Sequence, residues 1–298
     1  MIKAIKEYRK KNPKKTNAKR FTRSKVGNFF YFAVLIAGGL FSVLPLIYSI
    51  STSFKPLDEL LLFPPTFFVR RATVTNYAAL PGLLSSMDVP FLRYIINSLG
   101  VAIVTTFIYV IISAMASFAL SKGNFKGRKM LFAMVEFALM FGAYTLAVPQ
   151  YLISAKLHII DTYWAYILPM MVSTLGVFLI KQYIEGYLPD ALLEAARIDG
   201  AGYFRIFWSI VMPIIKPAWL TLTLFSFRDA WAFVPNGTIF NESLKTLPQI
   251  VSQVTAGGTA RAGSSAALTV IMMIPPIVVY LISQSNVVEA MSSAGIKE

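Results

Sequence analysis

Six windows of this chain carry little or no charge, and each comes close to the ~20 residues a helix needs to cross the hydrocarbon of a bilayer. They cover roughly 26–50, 94–120, 130–151, 162–180, 214–235 and 263–287. Such runs predict an all-α, polytopic membrane protein with six transmembrane helices. Composition agrees: 14% of the residues are charged, against about 25% in a soluble globular domain. The first window is too long for the apolar stretch of a signal peptide, ~7–15 residues, so it reads as a retained span. Pro45, Pro149, Pro169, Pro275 and Pro276 fall inside windows. Membrane helices tolerate them because neighbouring helices re-satisfy the carbonyls that a proline frees.

The net charge of +14 is concentrated at the start, where eleven Lys and Arg precede residue 26 and only Glu7 opposes them. In a soluble protein such an arm suits nucleic acid. Next to an apolar run it reads instead as a tail, 1–27, attracted to anionic lipid at the cytoplasmic face, with no nucleic acid as partner. The membrane domain then occupies 28–298. An even number of spans puts both termini on one side. The acid-free stretch Lys122-Gly-Asn-Phe-Lys126-Gly-Arg128-Lys129, between windows two and three, shares that side. The positive-inside rule makes it the cytoplasm, so a multi-pass protein of the cell membrane with both termini inside is expected. The connection between windows four and five faces the cytoplasm too, while 51–93, 152–161 and 236–262 lie outside.

Several chemistries lack their residues. Without cysteine there is neither a disulfide nor a thiolate metal site, and His158, the one histidine, rules out a two-histidine site. No GxxxxGK[ST], HExxH or GxSxG occurs. Glycines and cations at 123–129 have the wrong spacing for a phosphate loop. A catalytic residue, a metal site and a cofactor bound by this chain are therefore not expected. No internal repeat stands out, and Phe63-Pro-Pro-Thr-Phe-Phe reads as an ordered loop.

Glu136 falls inside the third window, and Arg228 and Asp229 fall side by side inside the fifth. Ionisable groups within spans usually face a bundle interior or a wet cavity. Two readings stand, structural pairing or a place along a translocation path.

The stretch EAARIDGAGYFRIFWSIVMP, Glu194 to Pro213, interrupts the apolar pattern between windows four and five. Proline and acid at Pro189-Asp190 suit a helix start. Asp190, Glu194 and Arg197 recur at i, i+4 and i+7 as one charged face, and Glu194 precedes Arg197 as an i, i+3 pair worth roughly 0.2–0.5 kcal/mol. Ala191, Ala195 and Ile198 share another face, with Leu192 and Ala196 beside them. Asp199-Gly200 ends the helix, since glycine reaches the left-handed conformation of a C-terminal cap. Tyr203-Phe-Arg-Ile-Phe-Trp208 mixes aromatics with one cation, as interfacial segments do. A short amphipathic helix, a sharp turn and an interfacial helix result. Such an element docks into a partner's groove or lies on the lipid surface as a connector.

The spacing of Glu194-Ala195-Ala196, Gly200, Ile210, Met212 and Pro213 resembles the EAA loop of binding-protein-dependent ABC importers, with Met212 where leucine is usual. More of the chain resembles the permeases of maltose-type sugar importers: Asn76-Tyr77 with Phe91-Leu-Arg-Tyr-Ile-Ile-Asn97-Ser98, Asp161-Thr-Tyr-Trp164 with Ile167-Leu-Pro169, and the ending Ser293-Ala-Gly-Ile-Lys297. That ending is similar to the tail of the permease whose C-terminus reaches toward the ATPases. The resemblance runs from about residue 28 onward. One departure falls in window five, where Ser226-Phe227 leads to Arg228-Asp229-Ala-Trp231-Ala-Phe rather than to Ala-Trp-Asn-Asp.

The resemblance implies alternating access. An extracytoplasmic solute-binding protein delivers a carbohydrate, an oligosaccharide by analogy, to a cavity between this chain and a second, homologous permease. Two separate ATPase subunits, which use ATP-Mg, drive the change through a coupling loop at about 183–213. It implies Glu194, Ala195, Ala196, Arg197, Asp199, Gly200 and Pro213 as coupling residues. Glu136, Arg228, Asp229 and Trp231 are the substrate-path candidates. A non-sugar cargo, or a stand-alone ion-coupled carrier or channel, is the alternative.

Overall fold

The structure is a computed structural model, and it describes residues 25–85, 89–235 and 237–295. The basic residues before Lys25 lie outside the described residues, as do Ile296 and Lys297 of the terminal tail. Among the described residues the chain forms helices, turns and loops with no strand. It divides into two compact units, Met1–Tyr48 and Ser49–Glu298.

Helix α1 (Lys25–Ser53) realises the first window in one piece, with Pro45 inside it. In the first unit its apolar side chains, Phe29, Phe30 and Phe41 among them, are exposed. A helix apolar all round suits lipid or protein surroundings rather than water.

The second unit continues with α2 (Leu57–Leu60), α3 (Thr75–Ser85), α4 (Phe91–Lys122), α5 (Arg128–Ala138), α6 (Ala143–Lys156), α7 (Trp164–Met170) and α8 (Thr174–Tyr187). The segment that interrupts the apolar pattern forms α9 (Asp190–Ile198), α10 (Tyr203–Ile206), a π turn (Phe207–Val211) and α11 (Met212–Ile214). Then come α12 (Lys216–Ala232), α13 (Leu247–Ala256) and α14 (Ala262–Gly295). The 32-residue α4 is the central post, packed on α8 and α12, with α14 against α12. Small residues let α4 and α8 approach closely, as membrane helices do in place of a hydrophobic drive. Gly176 sits so near α4 that an added Cβ would lie 2.7 Å from Ser113 Oγ, and Ser117 Oγ donates to the Val177 carbonyl at 2.8 Å.

The windows are not all single helices. Val26–Ser53, Phe91–Lys122 and Thr259–Gln284 are long and apolar enough to cross a membrane unbroken. Window four is bent by 42° between α7 and α8, and α12 joins the Tyr203–Ile214 segment through an 81° elbow. Counting each bent pair as one span gives five. Window three is two short helices parted at 139–142, where Gly142 takes an extended backbone (φ −73°, ψ 147°). Hydropathy registers apolar length and is blind to such backbone breaks.

Two loops are pinned by polar groups, Glu59, Lys55 and Asn97 buried and Asp161 half-buried. Glu59, 3% exposed, accepts from the backbone N–H groups of Arg70 (2.9 Å) and Arg71 (3.2 Å) and from Thr66 Oγ1 (3.3 Å). Burial by itself raises the Glu59 pKa, but these hydrogen bonds and the Lys55 charge outweigh it and hold the carboxyl below its ordinary 4.5. Buried Lys55 donates to the Thr66 carbonyl, so the Phe63-Pro-Pro-Thr stretch is ordered as expected. Asp161 Oδ1 accepts from Phe240 N (3.0 Å) and Asn241 N (2.7 Å), and Asn97 Nδ2 donates to the Ser243 (2.9 Å) and Lys245 (3.0 Å) carbonyls.

Candidate functional site

Helix α9 begins after Pro189, whose φ of −65° and ψ of 138° place it just outside the first turn. Leu193 and Ala196, three residues apart, turn inward and are 3% and 8% exposed. They join Ile184 of α8, Leu188 just after it, and Ile206, Phe207 and Val211 of the following segment, in one apolar core. Glu194, Ala195, Arg197, Ile198 and Asp199 face away and are exposed. Ile198 is 86% exposed, a large apolar group left without cover at the end of the outward face.

Gly200 stops the helix as expected. Its φ is +78°, a left-handed conformation that costs other L-residues roughly 1–2 kcal/mol. The stop is a Schellman motif: Gly200 N donates to the Arg197 carbonyl at 3.0 Å, and Ala201 N to the Ala196 carbonyl at 2.9 Å. These bonds satisfy carbonyls that a helix end otherwise leaves open. The chain then runs through α10 and the π turn to exposed Pro213 in α11.

Two electrostatic details differ from the sequence reading. Glu194 and Arg197 form no ion pair; Arg197 instead lies over the Tyr203 ring, 5.4 Å from its centroid. Asp190 pairs with Lys122 Nζ at 2.7 Å, tying α9 to the end of α4. The hydrogen bond and charge of Lys122 hold the Asp190 carboxyl below its ordinary range. Arg128 Nη1 in turn caps that end of α4 through the carbonyls of Ser121 (3.2 Å) and Gly123 (2.8 Å). Lys122 was legible only as part of a basic stretch, because its acid lies 68 residues away.

The structure sorts the four path candidates. Arg228 and Asp229 are mutually paired, with Nε and Nη2 on Asp229 Oδ1 at 2.9 and 2.8 Å, yet their side chains are 66% and 50% exposed. Trp231 is 2% exposed, with its indole N–H donated to the Met272 carbonyl at 2.9 Å and its ring stacked on Phe227. It fastens α12 to α14 and turns no face outward. Glu136 is exposed on α5, while Arg228 and Asp229 pair with each other. An apolar cavity of about 900 Å³ lies between α4, α12 and α14, and none of the four lines it. Among the described residues no group of three or more potential metal ligands assembles.

A family model described as "Binding-protein-dependent transport system inner membrane component" matches residues 82–293. The chain is 28% identical over 280 residues to the inner membrane ABC transporter permease protein YcjP of Escherichia coli, covering 93% of this chain and 98% of that one. It is 29% identical over 209 residues to the arabinooligosaccharides transport system permease protein AraQ of Bacillus subtilis, covering 70% and 74%. In fold it is similar to a chain of a bacterial ABC transporter involved in import of the acidic polysaccharide alginate. There the TM-score is 0.71 at 22% identity, over 88% of this chain and 98% of that one. The family match spans the Schellman-capped α9 and most of the helical bundle. The chain therefore belongs to the binding-protein-dependent transport system inner membrane components: it is a multi-pass cell-membrane permease subunit of an ABC importer, not an enzyme, and works with ATPase and substrate-binding protein partners.

Proposed function

We propose that this permease imports a carbohydrate, an oligosaccharide by class, which an extracytoplasmic binding protein delivers to a cavity shared with a second, homologous permease. Two ATPase subunits bind ATP-Mg and close against α9, and α9 carries that closure into the spans. The similarity to a permease named for arabinooligosaccharides supports the cargo class. Both termini and the 122–129 stretch face the cytoplasm on this reading, with the 1–27 tail held near anionic lipid. The binding-protein-dependent family leaves no role for a stand-alone carrier or channel.

The observation that carries the coupling assignment is the two-sidedness of α9. Its inner face, Leu193 and Ala196, belongs to a core that includes Ile215, just before α12, and Leu222 within α12. Its outer face, Glu194, Ala195, Arg197, Ile198 and Asp199, is uncovered. A partner that binds this face better in one permease conformation shifts the equilibrium by that differential free energy. Ala196 acts from within, by letting α9 sit close to its own bundle, and Gly200 and Pro213 shape the segment. Along the path, Arg228 and Asp229 are the residues with donor and acceptor atoms left for cargo hydroxyls.

The test is Ala195→Asp in the assembled importer. The variant remains in the membrane but loses ATPase co-purification and binding-protein-stimulated ATP hydrolysis. Normal values for both overturn the docking assignment. Calorimetric screening of sugars against the cognate binding protein identifies the cargo, and binding of non-carbohydrate solutes alone overturns the carbohydrate reading.

A further inference from the structure

The elbow between α11 and α12 is where any displacement of α9 must enter span five. Its backbone is poor in donors. Pro213 and Pro217 lack an N–H, and Ile215 between them leaves helical geometry at φ −84° and ψ 14°. The preceding π turn, Phe207–Val211, is already displaced from the α-helical ladder. The prolines free the Ser209 and Pro213 carbonyls, and the break at Ile215 separates the Met212 carbonyl from the Lys216 N–H four residues on; a carbonyl so separated needs a partner from elsewhere. The Met212 carbonyl has one in Trp219, whose indole Nε1 donates to it at 3.0 Å. Acceptor and donor lie on opposite sides of the 81° bend, so this hydrogen bond closes the angle as a strut would. Around it, Val211, Ile215 and Leu222 are at most 1% exposed and share a core with Leu193 and Ala196 of α9.

We infer that Trp219 is a positioning residue for coupling: its indole N–H, bonded to the Met212 carbonyl, locks the elbow so that α9 and α12 move as one lever. The inference rests on α9 being the ATPase-contacting helix. An elbow free to flex absorbs the motion of α9 and leaves span five behind, so ATP hydrolysis continues while transport falls. A purely packing tryptophan has a different signature, since a ring of the same size without the N–H then serves equally well.

The test uses the complete importer in proteoliposomes, with its ATPases, loaded binding protein and partner permease. Two variants are compared: Trp219→Phe, and Trp219→3-benzothienylalanine, an isostere that keeps the bicyclic ring and lacks the donor. Both are expected to retain the ATPases and stimulated hydrolysis, while solute imported per ATP falls about five-fold or more, the lower end of typical coupling effects. Wild-type yield in the isostere overturns the inference, because ring packing then suffices. Loss of ATPase binding in the isostere overturns it too, because the residue then acts on docking. Ala195→Asp run in parallel reports separately on the underlying reading: full hydrolysis and import there sinks the docking assignment, whatever Trp219 does.

Discussion

Gly200 offers the cleanest perturbation of the coupling segment, because its effect is separable from packing. At φ +78° its position favours glycine, and a Cβ added there would meet nothing within 4 Å. The valine Cβ therefore enters open space, and the main cost is that of forcing an L-residue into the left-handed region, roughly 1–2 kcal/mol, with β-branching pushing toward the upper end. That cost corresponds to a factor of about 5–30 in the equilibrium constant for forming the capped turn. The binding-competent fraction of α9 falls by at most that factor, and the apparent affinity for the ATPase falls with it. Asparagine tolerates the left-handed region, so Gly200→Asn is the matched control. Titrating purified ATPase onto the reconstituted permease pair, with binding-protein-stimulated hydrolysis as the readout, measures the shift. Gly200→Val is expected to weaken half-maximal stimulation, by up to about 30-fold, and Gly200→Asn much less. Equal behaviour of valine, asparagine and wild type refutes the reasoning, since the left-handed turn then does not set the docking geometry.

Three further outcomes are expected. Glu59→Gln removes the charge that organises 54–73. Because the Glu59 pKa is lowered on folding, its stabilisation is full above the ordinary 4.5 and fades as pH falls through the lower folded value. The wild-type loop should thus become protease-sensitive in acid, and the variant should be sensitive at neutral pH as well. Trp231→Phe strands the Met272 carbonyl at about 1–3 kcal/mol, lowering the melting temperature of the complex with the uptake KM unchanged. Arg228→Gln should do the reverse, and a KM shift from Trp231→Phe instead would mean that the tryptophan meets cargo. Gly176→Ala drives a methyl to 2.7 Å from Ser113 Oγ. Overpacking there should cost about 1–3 kcal/mol, partly recovered by adding Ser113→Gly, as thermal unfolding in detergent will show.

Local pattern made some of these features readable in advance. The apolar windows, the amphipathic stretch after Pro189 and the glycine stop depend on residues within a turn or two of one another. The sense of Ala195 and Ala196 was not readable: two methyl groups carry no polarity to distinguish them, and the packing of Leu193 on Ile184 and Leu188 turned one inward and the other out. Nor was the loss of the Glu194–Arg197 pair, because an i, i+3 ion pair of a few tenths of a kcal/mol yields to any better partner nearby. For Arg197 that partner is the Tyr203 ring beyond the turn.

Membrane class, the capped α9 and the absence of nucleotide-binding and catalytic motifs were thus determined by the sequence alone, because each is a property of composition or of short-range spacing. Tertiary structure decided the rest. It parted window three into two helices, bent window four, set an elbow at the entry to window five, and joined Lys122 to Asp190. It buried Trp231 while exposing its neighbours Arg228 and Asp229, and set the Trp219 indole against the Met212 carbonyl. Each of these depends on which carbonyl, charge or methyl has a partner close in space, and at a bend or across a bundle that partner is not chosen by distance along the chain.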